Sequence, residues 1–336
     1  MIWRLFSQCF RSGFAFCALL TVGLASPHDG KGPTRFDLIG EVRLTETQKV
    51  RKLAAYVGIQ GNDVAYSKYT WTGFDGKFKF KEIPIGFYTL YVEFRRRGEK
   101  RLTVEVSPSL ADRHGRIRQD VNVPMSNSLV TKQKADLVSL RELEISQKAR
   151  QMYLQAEKRL AKGDVKGSVK LLSQAVKVAP RYVSAINRLG TLFQIDKDFG
   201  QAERYFRQAL ECDPDAYAPL VNLGGVLLSQ DRYQEALEIN LRAVSARPSD
   251  AQANAQLGTT YARLRQDDRA MNYLLRAKEI DRSHFTFPQL LLADIYHRQN
   301  KPNLELEELL EFVRLHPDRA EPYQLEKRLD SLQTGH

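Results

Sequence analysis

The sequence predicts two domains of different structural class, an all-β sandwich followed by an all-α superhelix of repeats. Residues 35–125 contain short apolar runs in which polar and apolar side chains alternate, as in half-buried strands. Residues 149–319 instead repeat with a period of 34. A chain of 336 residues has room for about two domains, and a charged fraction of 27% is typical of an ordinary globular protein.

Residues 1–25 have the composition of a secretory signal peptide. Arg4 and Arg11 precede an apolar stretch, and the small residues Gly23 and Ala25 stand just before the expected cleavage point. We therefore expect an exported protein, periplasmic or extracellular. An N-terminal membrane anchor is the alternative, although the uncharged run of 17 residues is shorter than the roughly 20 that span a bilayer.

Cleavage would change the cysteine content of the chain. It would remove Cys9 and Cys17 and leave Cys212 alone, so no internal disulfide is expected. We interpret Cys212 as a small packed residue near a helix end.

Seven runs of residues in the first domain are predicted as strands. Glycine, proline, asparagine and aspartate, the residues that favour turns, separate them. The runs are Phe36–Leu44, Leu53–Ile59, Val64–Trp71, Lys77–Phe80, Phe87–Phe94, Leu102–Val106 and Ile117–Val123.

Short motifs in this region give a more specific indication. They are, in order, Gly40-Glu41-Val42, Thr70-x-Thr72, Asp75-Gly76, Phe78-x-Phe80 and Pro84-x-Gly86-x-Tyr88. Together they resemble the carboxypeptidase regulatory-like domain, a transthyretin-like sandwich that accompanies enzymes without being a peptidase. We expect a tight hairpin at Asp75-Gly76, with Phe78 and Phe80 in the core. Trp71 and Tyr88 are also interpreted as core aromatics. Residues 126–148 are predicted as a partly helical linker.

Several series of residues recur at intervals of 34 in the second domain. The series are Pro180, Pro214 and Pro248; Leu189-Gly190, Leu223-Gly224 and Leu257-Gly258; and Ala202, Ala236 and Ala270. This pattern resembles the tetratricopeptide repeat, in which two antiparallel helices approach closely at the small residues. The resemblance implies a superhelix with a concave groove that binds proteins or peptides.

The resemblance frames five units, followed by a capping helix over 320–334. The units are 149–182, 183–216, 217–250, 251–285 and 286–319, of which those over 183–285 match the pattern best. The fourth unit has one residue more than the others, and the terminal units are atypical, as capping requires.

The sequence contains no His-Glu-x-x-His, Gly-x-Ser-x-Gly or Gly-x4-Gly-Lys-Ser/Thr motif, and no paired cysteines with zinc-ligand spacing. We expect neither enzymatic activity nor a cofactor or bound metal. His297 and His316 are 19 residues apart and are interpreted as surface residues rather than metal ligands.

Candidate binding residues follow from the resemblance to the repeat family. Polar side chains at groove positions of the first helix of each unit could hold a peptide, because arginine and asparagine bind carboxylates and backbone groups. They are Asn187, Arg188, Gln194, Asn222, Gln256, Arg263 and Arg298. The alternative is an ordinary solvated groove.

The net charge of +11 is concentrated in the first domain. Positions 26–125 hold 18 basic and 12 acidic residues, against 27 and 25 from position 149 onward. A basic cluster near one turn is either a solvated hairpin tip or a surface that contacts an anionic envelope polymer or a membrane. Nucleic acid is not the expected partner, because export removes the protein from most of it. The cluster is Arg95, Arg96, Arg97, Lys100 and Arg101.

The leading hypothesis is a non-catalytic exported scaffold or adaptor that binds a protein or peptide in the repeat groove, with the sandwich as a second docking module. The alternative is a protein that binds carbohydrate or an anionic envelope polymer through the sandwich. An accessory subunit that regulates an exported enzyme is a third class, which the sequence does not separate from the first.

Overall fold

A computed structural model describes residues 34–45, 50–52, 55–94, 98–124, 145–319 and 325–334 of the protein. The predicted signal peptide and most of the predicted linker lie outside these residues. A β domain occupies the first four ranges and a helical array the last two.

Nine strands form the described part of the β domain. They are β1 (Arg35–Thr45), β2 (Val50–Lys52), β3 (Tyr56–Gly61), β4 (Ser67–Trp71), β5 (Lys77–Pro84), β6 (Gly86–Phe94), β7 (Gly98–Val106), β8 (Arg116–Arg118) and β9 (Val121–Pro124). The predicted run Ile117–Val123 is thus two short strands rather than one, and β7 begins four residues before the predicted start at Leu102.

The strands form two sheets around a common core. In the first sheet, β1 pairs antiparallel with β2 and β5 and parallel with β8 and β9. The second sheet has the antiparallel order β4-β3-β6-β7. Apolar side chains from both sheets meet between them, among them Phe78, Phe80 and Tyr88. The prediction that these three aromatic residues lie in the core is confirmed.

Two predictions for the motif region are wrong. Asp75 and Gly76 form a turn in which the backbone N–H of Gly76 donates to the carbonyl of Gly73. This turn connects β4 to β5, which belong to different sheets, so it is a corner between sheets and not a hairpin. Trp71 is not a core residue, because 59% of its surface is exposed. It lies at the end of β4, an edge strand, on the face away from the core.

Eleven α-helices form the described part of the array. They are α1 (Gln147–Leu160), α2 (Val165–Val178), α3 (Val183–Ile195), α4 (Phe199–Cys212), α5 (Tyr217–Ser229), α6 (Tyr233–Ala246), α7 (Ala251–Arg263), α8 (Asp267–Ile280), α9 (Pro288–Arg298), α10 (Pro302–Leu315) and α11 (Leu325–Thr334). Each predicted unit contains two helices, and α11 lies within the predicted capping segment.

An equivalent residue in the left-handed conformation follows the first helix of each unit, two or three positions after the helix ends. Gly163 has a φ of 79°, and the equivalent positions in the next three units are Lys197, Asp231 and Arg265, with φ between 58° and 62°. A left-handed residue after the last helical turn lets the chain reverse and satisfies terminal carbonyls. Aspartates then cap the second helices of the first two units; Asp198, for example, accepts a hydrogen bond from the backbone N–H of Gln201 at 3.0 Å.

The small residues of the repeat allow the paired helices to pack closely. A Cβ on Gly190 would lie 2.5 Å from the ring of Phe206, which is fully buried on the facing helix. In the third unit, Asn240 takes the place of that aromatic residue opposite Gly224. The 34-residue spacing of glycine therefore has a direct packing cause.

Candidate functional site

The predicted groove residues of the second and third units form a hydrogen-bonded polar network. The side-chain amide of Asn222 donates to Oδ1 of Asn187 at 3.0 Å and to Oγ1 of Thr191 at 3.4 Å. These residues lie on α3 and α5, so the network joins the first helices of neighbouring units on the predicted groove face.

Two glutamine amides converge on a glycine in the same region. A Cβ on Gly225 of α5 would lie 2.8 Å from Nε2 of Gln256 on α7 and 3.8 Å from Nε2 of Gln194 on α3. Gln256 is only 7% exposed, and its Oε1 has no hydrogen-bond partner in the described part of the chain. The missing side chain of Gly225 leaves room for these polar groups along the groove.

Arg188 is engaged inside the protein. Its guanidinium donates to both carboxylate oxygens of Glu157 on α1, at 2.8 and 3.0 Å. The arginine side chain is 6% exposed and that of the glutamate 13%. A paired fork of this kind satisfies the arginine donors that would otherwise bind a peptide carboxylate.

The last two predicted groove arginines lie nearer the end of the array. Arg298 donates to Asp267 at 2.6 and 3.1 Å, which links α9 to α8. Arg263, the last residue of α7, is half-buried. The assignment of both residues to peptide binding stays a prediction.

The two histidines have different surroundings. His297 is exposed and its Nδ1 lies 2.9 Å from Glu305. His316 is 1% exposed, so its interpretation as a surface residue is wrong. It is buried because the β domain covers it. No cluster of potential metal ligands occurs among the described residues, and no described helix is both long and apolar enough to cross a membrane.

The basic cluster of the β domain is only partly within the described residues. Arg95, Arg96 and Arg97 lie outside them. Lys100 donates to the carbonyl of Asn122 at 2.7 Å, and burial lowers its pKa. The guanidinium carbon of Arg101 lies 5.9 Å from the ring centre of Tyr217, at the start of α5. The two described members therefore make contacts within this chain.

Strand β7 lies along one rim of the helical array. Its alternate residues reach successive units: Arg101 contacts Tyr217, the backbone N–H of Thr103 donates to Asp281 at 2.8 Å, and Glu105 contacts His316. Thr103 and Glu105 are buried although their neighbours in the strand fill the core of the β domain. The backbone donor of Thr103 on this edge strand is thus satisfied by a carboxylate of the array.

An aromatic cluster seals the same interface. Phe87 of β6 meets the ring of Phe287 at a centroid distance of 5.5 Å, and Phe287 packs against Phe312 and His316 at 5.3 and 4.9 Å. Arg319 lies over the Phe87 ring at 4.7 Å. Phe287 has a φ of 51°, a conformation that a bulky residue adopts only when its surroundings enforce it. It follows the extra residue that the sequence places between the fourth and fifth units.

At the other end, the β domain contacts the first unit. Ala65 packs against the apolar cluster of α1 and α2, and β4 lies beside α1. Burial raises the pKa of Tyr56 to about 12, with further contributions from Tyr69, Glu93 and Glu157 of α1. The second sheet therefore reaches from the first unit to the fifth.

Comparison with known proteins identifies the helical array. A tetratricopeptide-repeat profile matches residues 153–216 and 196–251, and a second such profile matches 251–284. Residues 153–284 are tetratricopeptide repeats. This bears out the 34-residue pattern, and such repeats mediate contacts between proteins.

Two curated proteins share sequence with part of this chain. "Cellulose synthase operon protein C" of Xanthomonas axonopodis pv. citri is 30% identical over 178 residues, which are 51% of this chain and 12% of that protein. "Tetratricopeptide repeat-containing protein trd-1" of Caenorhabditis elegans is 26% identical over 123 residues, 36% of this chain and 16% of that protein. The chain spans less than a fifth of either relative.

Two solved structures are similar to part of the chain at low identity. "MamA 41-end from Desulfovibrio magneticus RS-1" is 19% identical, with a TM-score of 0.47, and covers 52% of this chain and 98% of its own. YrrB, described as "a TPR protein with an unusual peptide-binding site", is 20% identical, with a TM-score of 0.45, and covers 53% of this chain and 92% of its own.

Proposed function

We propose that this protein is an exported, non-catalytic scaffold whose tetratricopeptide groove binds a protein or peptide, with the β domain as a second docking module. One observation carries the proposal: the amides of Gln194 and Gln256 converge over Gly225 on the groove face. Amide side chains both donate and accept, so they suit the backbone of an extended peptide. The buried Oε1 of Gln256, which has no partner among the described residues, is an acceptor that such a backbone would satisfy.

Site-specific photo-cross-linking tests the groove. A photoreactive amino acid replaces Asn222 in one variant and Arg276, an exposed residue of the second-helix face, in the control. Both proteins are expressed in the native host and irradiated. We expect a discrete cross-linked partner from position 222 alone, and a weaker yield when Arg263 and Arg298 are also replaced by alanine. Equal products from both positions would contradict the proposal.

Export is the part of the proposal that rests on the pattern of residues 1–25. The native protein is expected to begin at Ser26, which N-terminal sequencing of the purified chain measures. A native chain that retains Arg4 and Arg11 would contradict cleavage and favour the N-terminal anchor.

We further propose that the β domain is of the carboxypeptidase regulatory-like type. The burial of Phe78 and Phe80 and the φ of 153° at Gly86 support this assignment, because the family motif requires these residues in these roles. An experimental structure with a different strand order would overturn it.

A carbohydrate ligand for the β domain is the second candidate. Trp71 and Tyr69 are 59% and 46% exposed, and Tyr56 packs against both rings at 5.4 and 5.7 Å. Exposed aromatic side chains that also carry a polar group are typical of binding surfaces. Glycan-array binding by the whole chain that is lost in Trp71→Ala but kept in Phe74→Ala, whose aromatic residue is 98% exposed on a turn, would support this function.

A further inference from the structure

The face of the β domain that contacts the repeats is buried, although the alternation of the strands predicts it to be exposed. Val104 and Val106 of β7 lie in the β core, so Thr103 and Glu105 must point away from it. Both are nevertheless less than 9% exposed, and the outward-facing Phe87 is 2% exposed. The helical array is what covers them.

Polar contacts provide much of this interface. The carboxylate of Asp281 accepts from the backbone of Thr103, and that of Asp318 accepts from both the backbone and the hydroxyl of Ser109. Glu105 lies 3.0 Å from Nδ1 of His316. Interfaces between domains of one chain that combine such polar contacts with a small apolar cluster, here around Phe87 and Phe287, resemble transient protein contacts, for which relative motion is the ordinary expectation.

The interface also contains buried groups with incomplete hydrogen bonding. Nε2 of His316 and Oε1 of Glu105 have no hydrogen-bond partner among the described residues, and the nearest cation to that oxygen is Arg319 at 3.6 Å. Each such group costs free energy in the docked arrangement. The strained φ of Phe287 adds to this cost. The free energy of docking is therefore the difference between the favourable contacts of the interface and the cost of these unsatisfied and strained groups.

The docked β domain also limits the space around the groove. It contacts Tyr217 and Phe287 at the start of the first helices of the third and fifth units, and the apolar cluster of the first unit through Ala65. Tyr91 of β6 also interacts electrostatically with Arg188, a predicted groove residue of the second unit whose side chain is only 6% exposed. The second sheet therefore lies beside the predicted groove, close to Arg188 and Tyr217.

We propose that the β domain gates the groove in cis: docking restricts the entry of a protein partner, undocking admits it, and the contact of Glu105 with His316 and Arg319 is the latch. The proposal rests on the groove function proposed above and concerns its regulation. A partner that binds only the undocked form would shift the equilibrium by its differential affinity for that form.

A charge reversal at the latch tests the gate without a known partner. Glu105→Lys places an ammonium group against Arg319 and His316, whereas Glu93→Lys makes the same change at an exposed residue of the same sheet. Both variants carry Asn222→Cys as a groove probe, in a background in which Cys9, Cys17 and Cys212 are replaced by serine. The thiol is labelled with N-ethylmaleimide or with a bulky polymer-linked maleimide, and amide hydrogen exchange follows Thr103.

We expect Glu105→Lys to accelerate the bulky label and the exchange at Thr103 about tenfold or more, which corresponds to loss of roughly 1.4 kcal/mol of docking free energy. Glu93→Lys should leave both rates unchanged. Labelling by N-ethylmaleimide should change less, because a small reagent needs less space. Unfolding of the array is excluded by an unchanged helical circular dichroism spectrum, and unfolding of the β domain by unchanged exchange at the amides of β3, a central strand of the same sheet.

Two outcomes would overturn the gate. If the Thr103 amide exchanges faster while the bulky reagent reacts at the parental rate, the β domain undocks without controlling the groove. If neither rate changes, the contact of Glu105 with His316 and Arg319 does not hold the β domain in the docked arrangement. Should Glu105→Lys fail to fold, Asp318→Ala removes the carboxylate that accepts from Ser109 and is judged by the same rates. Since thiol labelling needs no partner, failure of the photo-cross-linking experiment remains a separate result.

Discussion

The imidazole Nδ1 of His316 lies 3.0 Å from Oε2 of Glu105, across 211 residues of sequence. This contact joins the last residues of the fifth repeat to the seventh strand of the β domain. Both side chains are buried, so water cannot take the place of either partner, and loss of one leaves the other without a hydrogen bond at a cost in free energy.

Removal of the Glu105 carboxylate should destabilise the docked protein. Glu105→Ala leaves Nδ1 of His316 buried without its acceptor, which costs about 1–3 kcal/mol. Glu105→Gln keeps an acceptor oxygen and should lose less. Urea denaturation, followed by circular dichroism, measures both variants. An equal loss in the two variants would mean that packing, rather than the hydrogen bond, determines the contribution of this side chain.

Asp63 should give the protein a pH-dependent stability. Burial raises the pKa of its carboxyl, while the hydrogen bond from the backbone N–H of Phe87, at 2.7 Å, opposes that shift. Because the folded-state pKa exceeds the unfolded value, the folded state keeps the proton longer as pH rises. The contribution of Asp63 to stability is therefore greatest below about pH 4 and declines as pH rises through the folded pKa.

The isosteric variant Asp63→Asn isolates this effect. It retains an acceptor for Phe87 but has no charge to bury, so its stability should equal or exceed that of the parent at pH 7 and approach it at pH 4. Asp63→Ala should be less stable than both at either pH, by about 1–3 kcal/mol, because the Phe87 donor is left unsatisfied. Urea midpoints at the two pH values are the measurement. A stability difference between the parent and Asp63→Asn that is independent of pH would contradict the assignment.

The fold of each half was predictable because each half depends on local periodicity. The alternation of residues such as Phe78 and Phe80 specifies a core face, and glycine opposite Phe206 specifies the approach of two helices. These relations involve neighbouring elements, so they recur in the sequence at fixed spacing. The left-handed residues that end the first helices were not predicted, since Lys197, Asp231 and Arg265 share a position but no side-chain type.

The interface between the halves could not be predicted in the same way. Thr103 and Glu105 read as solvated strand positions, and His316 as a surface residue, because nothing local shows that a distant surface covers them. One signal was present: the extra residue before the fifth unit. It precedes Phe287, whose left-handed backbone directs its ring to Phe87. Trp71 is the opposite case: an aromatic residue in a strand predicts a core position, but Trp71 lies on the outer face.

Arg188 should contribute to stability rather than only to binding. Arg188→Ala leaves Glu157 as a charge with little solvent, and loss of one partner of a buried pair costs about 3–5 kcal/mol. The double variant Glu157→Leu/Arg188→Met removes both charges and should lie closer to the parent. An exposed pair supplies the control. Arg276→Ala removes the partner of Glu279 and should lower the free energy of unfolding by at most about 1 kcal/mol. If Arg188→Ala and Arg276→Ala unfold at the same urea concentration, Arg188 is available for a partner after all.

Asn240 offers a site where the repeat can be made more stable. It occupies the position that holds Leu172, Phe206 and Leu274 in other units, opposite the glycine or alanine of the first helix. Its Nδ2 donates to Thr260 at 3.0 Å, but its Oδ1 is buried without a hydrogen-bond partner among the described residues.

Asn240→Leu should therefore raise the free energy of unfolding by about 1 kcal/mol, because it replaces an unsatisfied carbonyl with apolar contact. Thr260 keeps a partner in this variant, since its hydroxyl also donates to the carbonyl of Gln256 at 2.7 Å. Asn240→Ala is the matched control: it removes the same carbonyl but leaves a cavity, so it should be less stable than Asn240→Leu. Chemical denaturation of the three proteins should rank Asn240→Leu as the most stable, the parent second and Asn240→Ala last. An order in which the parent is the most stable would show that the bond from Asn240 to Thr260 outweighs the unsatisfied oxygen.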